Sequence, residues 1–271
     1  MIGDQPLLEV RDLRKSFAVR SGLLESADNG AFGRAMVVDG VTFSMAKGET
    51  LGLVGESGCG KTTLARMIVR LIEPDSGEMR FRGHDWLGAR GPELRTLRSR
   101  IQMVFQDPLA SLNARMRVGA IVGEPLAIHE SRLGPMQRQT RAGQMLEAVG
   151  LGADSLARYP HEFSGGQRQR IGIARALILR PDLVVADEPV SALDVSVGAQ
   201  ILELLERLRR EFSLTLILIS HSLPVVAQLA TRVAVMQGGR FVECGPADQV
   251  LRSPQHPYTR ALLAAVPEIP A

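Results

Sequence analysis

The sequence predicts an α/β fold: a mainly parallel sheet with helices on both faces, β-structure along its N-terminal edge and a helical segment set into it. Three observations predict it. The glycine-rich loop Gly55-Glu56-Ser57-Gly58-Cys59-Gly60-Lys61-Thr62 lies between an apolar run at 50–54 and a run of helical periodicity at 63–71. In the second half of the chain, apolar runs at 183–186 and 214–219 alternate with helical patterns, the order of a parallel sheet with crossover helices. From 107 to about 179 the pattern is helical and no strand pattern interrupts it.

Leu8, Val10 and Leu13 stand apolar among polar neighbours, so 7–13 reads as a strand, with Phe17 shortly after it. A polar, glycine-containing stretch at 21–34 reads as a surface excursion. A second strand follows at 37–45, and Lys47-Gly48-Glu49 turns into the strand before the loop. In the helix after the loop, Leu64, Met67, Ile68 and Leu71 share one face. Glu73-Pro74-Asp75-Ser76-Gly77 is a strong turn signal, and 78–82 alternates as a short strand with Met79 and Phe81 on one side. A short basic helix at 92–100 leads into a β-rich run at 101–105, which ends at Gln106-Asp107-Pro108.

In the helical segment, turns are expected at Gly123-Glu124-Pro125 and at Leu133-Gly134-Pro135, and Met145, Leu146 and Val149 form a stripe. The length without strand signals favours an inserted subdomain over a set of crossover helices in the same core. Leu183-Val184-Val185-Ala186 is continuously apolar, as a buried parallel strand is. It ends at Asp187-Glu188-Pro189. Val197, Ile201, Leu204, Leu205 and Leu208 then share a helical face, and the strand at 214–219 ends at Ser220-His221. A helix at 224–230, a strand at 232–236, a turn at Gly238-Gly239 and a strand at 240–244 complete the core. In such a sheet ligand groups lie at the carboxyl ends of the strands. The glycine-rich loop, Asp187-Glu188 and His221 each follow a strand directly.

Composition sets broad limits. The 271 residues are 45% hydrophobic and 23% charged, an ordinary globular balance. A net charge of +3 gives little reason to expect nucleic acid. No apolar run approaches the roughly 20 residues that span a bilayer, and the N-terminus does not read as a signal peptide. The two cysteines, Cys59 and Cys244, offer no disulfide framework, so a reducing compartment is expected.

The loop has the chemistry of a phosphate cradle. Gly55, Gly58 and Gly60 allow the backbone N–H groups to turn inward, and the helix that starts there adds the positive end of its dipole. Lys61 supplies a compact charge for terminal phosphates, and the Thr62 hydroxyl can ligate Mg²⁺. The chain has only three lysines, Lys15, Lys47 and Lys61, so finding one here is informative. Asp187 follows a buried strand, the usual position for a carboxylate that holds Mg²⁺ through water, and Glu188 can polarise an attacking water. Ser164 suits a helix N-cap. Ser164-Gly165-Gly166-Gln167 would present free N–H groups as a second anion site. Adjacent glycines are costly in a first helical turn, so close approach of a ligand is expected there.

These motifs, taken in order, resemble an ABC-type ATPase domain over nearly the whole chain. The resemblance implies a P-loop NTPase with a RecA-like parallel core, an N-terminal antiparallel β-subdomain and an inserted helical subdomain. On that pattern 1–106 and 179–245 form the ATP-binding core, 107–178 the helical subdomain and 246–271 a C-terminal extension. Gly55 to Thr62, with Thr63 following, resembles the Walker A motif, and 183–187 resembles Walker B, with Glu188 as catalytic base. Gln106 resembles the glutamine that senses Mg²⁺ and the terminal phosphate. Ser164 to Gln167 resembles the signature, Ser191-Ala192-Leu193-Asp194 the D-loop and His221 the switch histidine. Phe17 stands where the family stacks an aromatic on adenine, although a lone Phe beside a strand is also an ordinary core residue. The cofactors implied are ATP and Mg²⁺.

The resemblance also implies partners. The signature acts in trans, on ATP held by a second ATPase subunit, in a dimer that closes on ATP and reopens on hydrolysis. Gln106-Asp107-Pro108-Leu109-Ala110-Ser111-Leu112-Asn113 and His256-Pro257-Tyr258-Thr259-Arg260-Ala261-Leu262-Leu263 look most like the second ATPase of a heteromeric pair in the oligopeptide, dipeptide and nickel importers. A heterodimer is therefore expected, with a homodimer as the alternative. Two integral-membrane permeases and, indirectly, an extracytoplasmic binding protein would complete the assembly at the cytoplasmic face of the membrane. Nickel, opines or oligosaccharides are the alternative cargoes. A DNA-repair ATPase would need a coiled-coil or zinc insertion between Gly60 and Ser164, and a P-loop kinase would lack the signature. Cys244 alone lacks the cysteine cluster that some relatives use for an iron–sulfur centre. Val190, Ser222 and Gly198 depart from the usual Thr, Asp and Gln, which would suit a weaker site in an asymmetric pair.

Overall fold

The computed structural model describes residues 5–19 and 33–265. Most of the excursion read at 21–34 lies outside them. The N-terminal sheet is antiparallel, in the order β2-β1-β4-β5. Its strands are β1 (Leu8–Val19), β2 (Gly33–Met45), β4 (Ser76–Phe81) and β5 (His84–Asp85). β1 is longer than expected and carries the chain through Phe17, because its outer half keeps pairing with the start of β2, Phe17 opposite Ala35.

The second sheet has six strands in the order β10-β9-β3-β8-β7-β6. These are β3 (Thr50–Val54), β6 (Ile101–Val104), β7 (Leu183–Asp187), β8 (Thr215–Ile219), β9 (Arg232–Gln237) and β10 (Arg240–Pro246). All pairs are parallel except β10 on β9. β3, β7 and β8 are buried at every residue, as strands covered on both faces must be. Alternate side chains feed two different cores. Val184, Ala186, Leu216, Leu218, Val233 and Val235 point to the helical side. Leu183, Val185, Ile217, Ile219, Ala234 and Met236 point to the side covered by the antiparallel sheet. The period of two along a strand explains the split.

The first helix, α1 (Lys61–Ile68), buries Leu64, Met67 and Ile68 but ends before Leu71. Leu71 was expected on the buried face and is instead 58% exposed. Arg70 takes φ +53° and turns the chain out of the helix. Its side chain is buried and donates to the carbonyls of Trp86 (2.8 Å) and Ala89 (3.0 Å). Trp86 Nε1 donates to the Ile68 carbonyl at 2.7 Å, meeting one of the acceptors a helix end leaves open.

Helix α2 (Gly91–Arg100) precedes β6. Between β6 and its neighbour β7 run α3 (Pro108–Ser111), α4 (Val118–His129), α5 (Pro135–Ala148) and α6 (Gly165–Leu177). The turn expected at Gly123-Glu124-Pro125 is not there: α4 continues through Pro125. Ile121, Val122, Gly123 and Leu126 are buried. Packing of that face outweighs the one helical hydrogen bond that proline removes. The turn at Leu133-Gly134-Pro135 holds, with Gly134 as N-cap and Pro135 opening α5. After β7 come α7 (Val195–Phe212) and α8 (Leu223–Leu229), and after β10 come α9 (Ala247–Arg252) and α10 (Pro257–Ala264).

Candidate functional site

The glycine-rich loop leaves β3 and enters α1 with Gly55, Gly58 and Gly60 at φ +149°, +83° and +110°. Two of these glycines are also held by contact. A Cβ on Gly55 would lie 2.2 Å from the Met236 carbonyl oxygen, and one on Gly60 would lie 2.3 Å from that of Val37. The loop is thus wedged between β9 and β2, and its shape is fixed by backbone on two sides. Lys61 is only 5% exposed. Its Nζ donates to the carbonyls of Gly55 (2.7 Å) and Glu56 (2.8 Å) and lies 3.7 Å from Cys59 Sγ. The ammonium therefore sits inside the curl of the loop. Thr62 and Thr63 follow in the first turn of α1, whose N–H groups have no helical partners.

Two clusters meet beside this loop. In the first, the Thr62 hydroxyl donates to Asp187 Oδ1 at 3.2 Å. Asp187 is buried, and burial pushes its carboxyl above the ordinary carboxylate range; the Thr62 bond acts the other way and the neighbouring Glu188 adds to the rise. In the second, Glu188 Oε2 accepts from Gln106 Nε2 at 3.1 Å and lies 3.3 Å from His221 Nδ1. Gln106, Glu188 and His221 stand just past the ends of β6, β7 and β8, which are neighbours in the sheet. Glu188 takes φ +46°, so the chain turns and both acidic side chains reach the same side.

The donors suit a hard divalent cation. A hydroxyl, a desolvated carboxylate and an amide oxygen are the ligand types of Mg²⁺, which is commonly held by one or two carboxylates together with phosphate oxygens. Among the described residues no group of three or more His, Cys, Asp or Glu could hold an ion unaided.

Ser164 caps α6. Its hydroxyl accepts from the N–H of Gln167 at 3.3 Å, and Gln167 Oε1 accepts from the N–H of Ser164 at 2.9 Å. This reciprocal box is a strong helix start. Ser164, Gly165 and Gln167 are exposed, but Gly166 is buried. The structure adds a packing reason for one of the two glycines. A Cβ on Gly166 would lie 2.4 Å from Val197 Cγ1, so packing against α7 is by itself enough to require that glycine. Gly166→Ala should destabilise the fold by about 1–3 kcal/mol, the usual cost of overpacking. Urea unfolding reads this directly, and an unchanged midpoint would refute the packing account.

Asp194 is exposed and begins α7 without a side-chain capping bond. Phe17 is 40% exposed, with Lys15 Nζ 5.6 Å from its ring centroid, so it presents a surface rather than filling the core. Val190 and Gly198, two of the departures, face each other: a Cβ on Gly198 would meet Val190 Cβ at an ordinary 3.6 Å. One contact at the site joins residues far apart in the sequence. The Glu56 N–H donates to the Tyr258 hydroxyl at 3.1 Å across 202 residues. Tyrosine occurs only twice in the chain, which is the one hint that could have drawn notice to it.

Residues 38–191 match the family described as ABC transporter. The chain belongs to the ABC transporter family. Residues 242–271 of this ABC transporter chain also match the C-terminal region of the oligopeptide/dipeptide transporter family. The chain is 50% identical over 265 residues to the oligopeptide transport ATP-binding protein OppF of Escherichia coli K12, covering 98% of this chain and 79% of that protein. It is 48% identical over 264 residues to the dipeptide transport ATP-binding protein DppF of Haemophilus influenzae, covering 97% and 79%. Among solved structures it resembles the ATP-binding cassette MJ0796, a dimer in a post-hydrolysis state with ADP and Pi. The TM-score is 0.76 at 26% identity, over 89% of this chain and 98% of that one. This ABC chain is an ATPase of the cassette type.

Proposed function

We propose that this chain is the ATP-hydrolysing subunit of an importer for di- or oligopeptides. The observation that carries the cargo is the C-terminal match at 242–271, which joins a peptide-transporter tail to the ATPase core. In this reading 1–106 and 179–245 form the ATP-binding core, 107–178 the helical signature subdomain and 246–271 the extension.

The residues divide the work. Lys61 and the loop N–H groups that follow Glu56, through Thr63, hold the phosphates, and Phe17 stacks on the base. Thr62, Asp187 and Gln106 hold Mg²⁺, which neutralises charge on the terminal phosphates when bound. Glu188 accepts the proton of the attacking water, and Gln106 and His221 hold its carboxylate in place. Gln106 also stands two residues past the end of β6, so a shift at the nucleotide reaches the surface beside it.

Ser164 to Gln167 and Asp194 serve the ATP of a second ATPase subunit, because Ser164, Gly165, Gln167 and Asp194 are exposed while the loop at 55–62 is served by other elements of this chain. A non-identical partner is the preferred mate. Next to Gln106 lies a cavity of about 820 Å³ lined by Leu71, Arg98, Ile128, His129 and Arg175. Leu71 and Ile128 are large apolar side chains left 58% and 49% exposed. A helix from an integral-membrane permease fits this groove, which would place the chain at the cytoplasmic face of the membrane, with an extracytoplasmic binding protein delivering cargo. Among the described residues no helix is long and apolar enough to cross a membrane.

Reconstitution with its permeases, partner ATPase and binding protein in liposomes tests this reading. ATP-dependent uptake of a labelled tripeptide that disappears when this chain is omitted is the expected result. Uptake of nickel or an oligosaccharide, with none of peptide, would overturn the cargo assignment.

A further inference from the structure

Glu56 is the second residue of the phosphate loop, and its N–H, in the loop's first peptide, donates to the Tyr258 hydroxyl at 3.1 Å. The segment that carries Tyr258 is fastened before it reaches the loop. Glu243, in β10, accepts from the N–H of Gln255 (2.8 Å) and of His256 (3.1 Å). His256 Nδ1 accepts from the N–H of Tyr258 at 3.2 Å and caps α10. Thr259 is buried, and Tyr258, Leu262 and Leu263 pack on the helical-side core. The ring is therefore placed by the body of the protein, and only its hydroxyl extends to the loop.

The loop has reason to need such a hold. Its three glycines sit at positive φ, and glycine loses more conformational freedom on ordering than any other residue. A bond to the first peptide of the loop limits the shapes the following N–H groups can sample. That peptide's N–H faces the tyrosine, so it is not among the groups left for phosphate.

We propose that Tyr258 is a positioning residue for nucleotide: its hydroxyl holds the first peptide of the phosphate loop, so that the C-terminal segment sets how often the loop is ready to bind ATP. Apparent affinity scales with the fraction of molecules in the binding-ready state. Loosening the hold should weaken binding without changing the chemistry that follows.

Tyr258→Phe keeps the ring and its packing and removes the acceptor. The expected result is a rise in the Kd and KM for ATP of roughly three- to tenfold, the effect of one neutral hydrogen bond. The kcat at saturating ATP should stay unchanged, and hydrogen exchange at the Glu56 amide should quicken. Glu243→Gln, which loosens the segment without touching the loop, should move the same readings in the same direction. An unchanged or tighter Kd in Tyr258→Phe overturns the proposal. So does a raised Kd with unchanged Glu56 exchange, because the hydroxyl would then not have been holding the loop. The proposal rests on 55–62 being the ATP loop, and Lys61→Ala, measured alongside, separates the two failures. ATP bound normally by Lys61→Ala would sink the loop reading, whereas loss of ATP there with no effect in Tyr258→Phe sinks the tether alone.

Discussion

Glu188→Gln is expected to slow ATP turnover by about 100- to 1,000-fold while leaving ATP binding intact, the loss typical of removing a general base. The amide is the same size as the carboxylate, and its oxygen can still accept from Gln106 Nε2, now 3.1 Å away. The surrounding geometry should survive, and what is lost is the capacity to take a proton from water. The phosphate loop, Lys61 and the Thr62–Asp187 pair are untouched. ATP should therefore load and stay, and an ATP-bound dimer should accumulate with the partner subunit. Phosphate release assays and size-exclusion chromatography with ATP would show both effects. A variant that turns over at the unmutated rate would sink the assignment of Glu188 as base.

Lys61→Ala should act earlier in the cycle. The ammonium is buried and bonded to two loop carbonyls at 2.7 and 2.8 Å, so it both charges the cradle and closes its curl. Removing it should weaken ATP binding by about 10- to 100-fold, the scale of a lost hydrogen bond to a charged group. Lys61→Arg should not restore it. A planar guanidinium is larger than an ammonium and presents its donors as a fork, while the space here is bounded by the Gly55 and Glu56 carbonyls and by Cys59. Titration of a fluorescent ATP analogue would decide. Equal affinity in Lys61→Ala would remove the lysine from the site.

The fold and most of the site could be read from sequence because their signals are local. The loop at 55–62 is contiguous, and a strand ending at Asp187-Glu188 announces itself by its apolar run. Ser164 and Gln167 are three residues apart, the spacing of a capping box. What escaped depends on distant contacts. Leu71 falls on the right helical phase, but the helix ends because Arg70 adopts a left-handed turn and anchors on Trp86 and Ala89, and nothing in an arginine announces that. Pro125 reads as a break, yet the buried face of α4 carries the helix through it. Gly166 reads as a ligand contact, and only the position of Val197 reveals the packing reason. The Tyr258–Glu56 bond joins residues 202 apart, beyond the reach of any periodicity.

The tight fit of Gly166 on Val197 has a consequence for how this chain can change over time. The two positions share one fixed allotment of volume, since the Cγ1 of one already fills the place where a Cβ of the other would be. A larger residue at 166 becomes tolerable only after 197 has shrunk, and the reverse order leads through a less stable intermediate. Gly166 lies in the first turn of α6 and Val197 in the first turn of the helix that Asp194 begins. Drift in one of these stretches is therefore tied to drift in the other, although they stand far apart in the sequence.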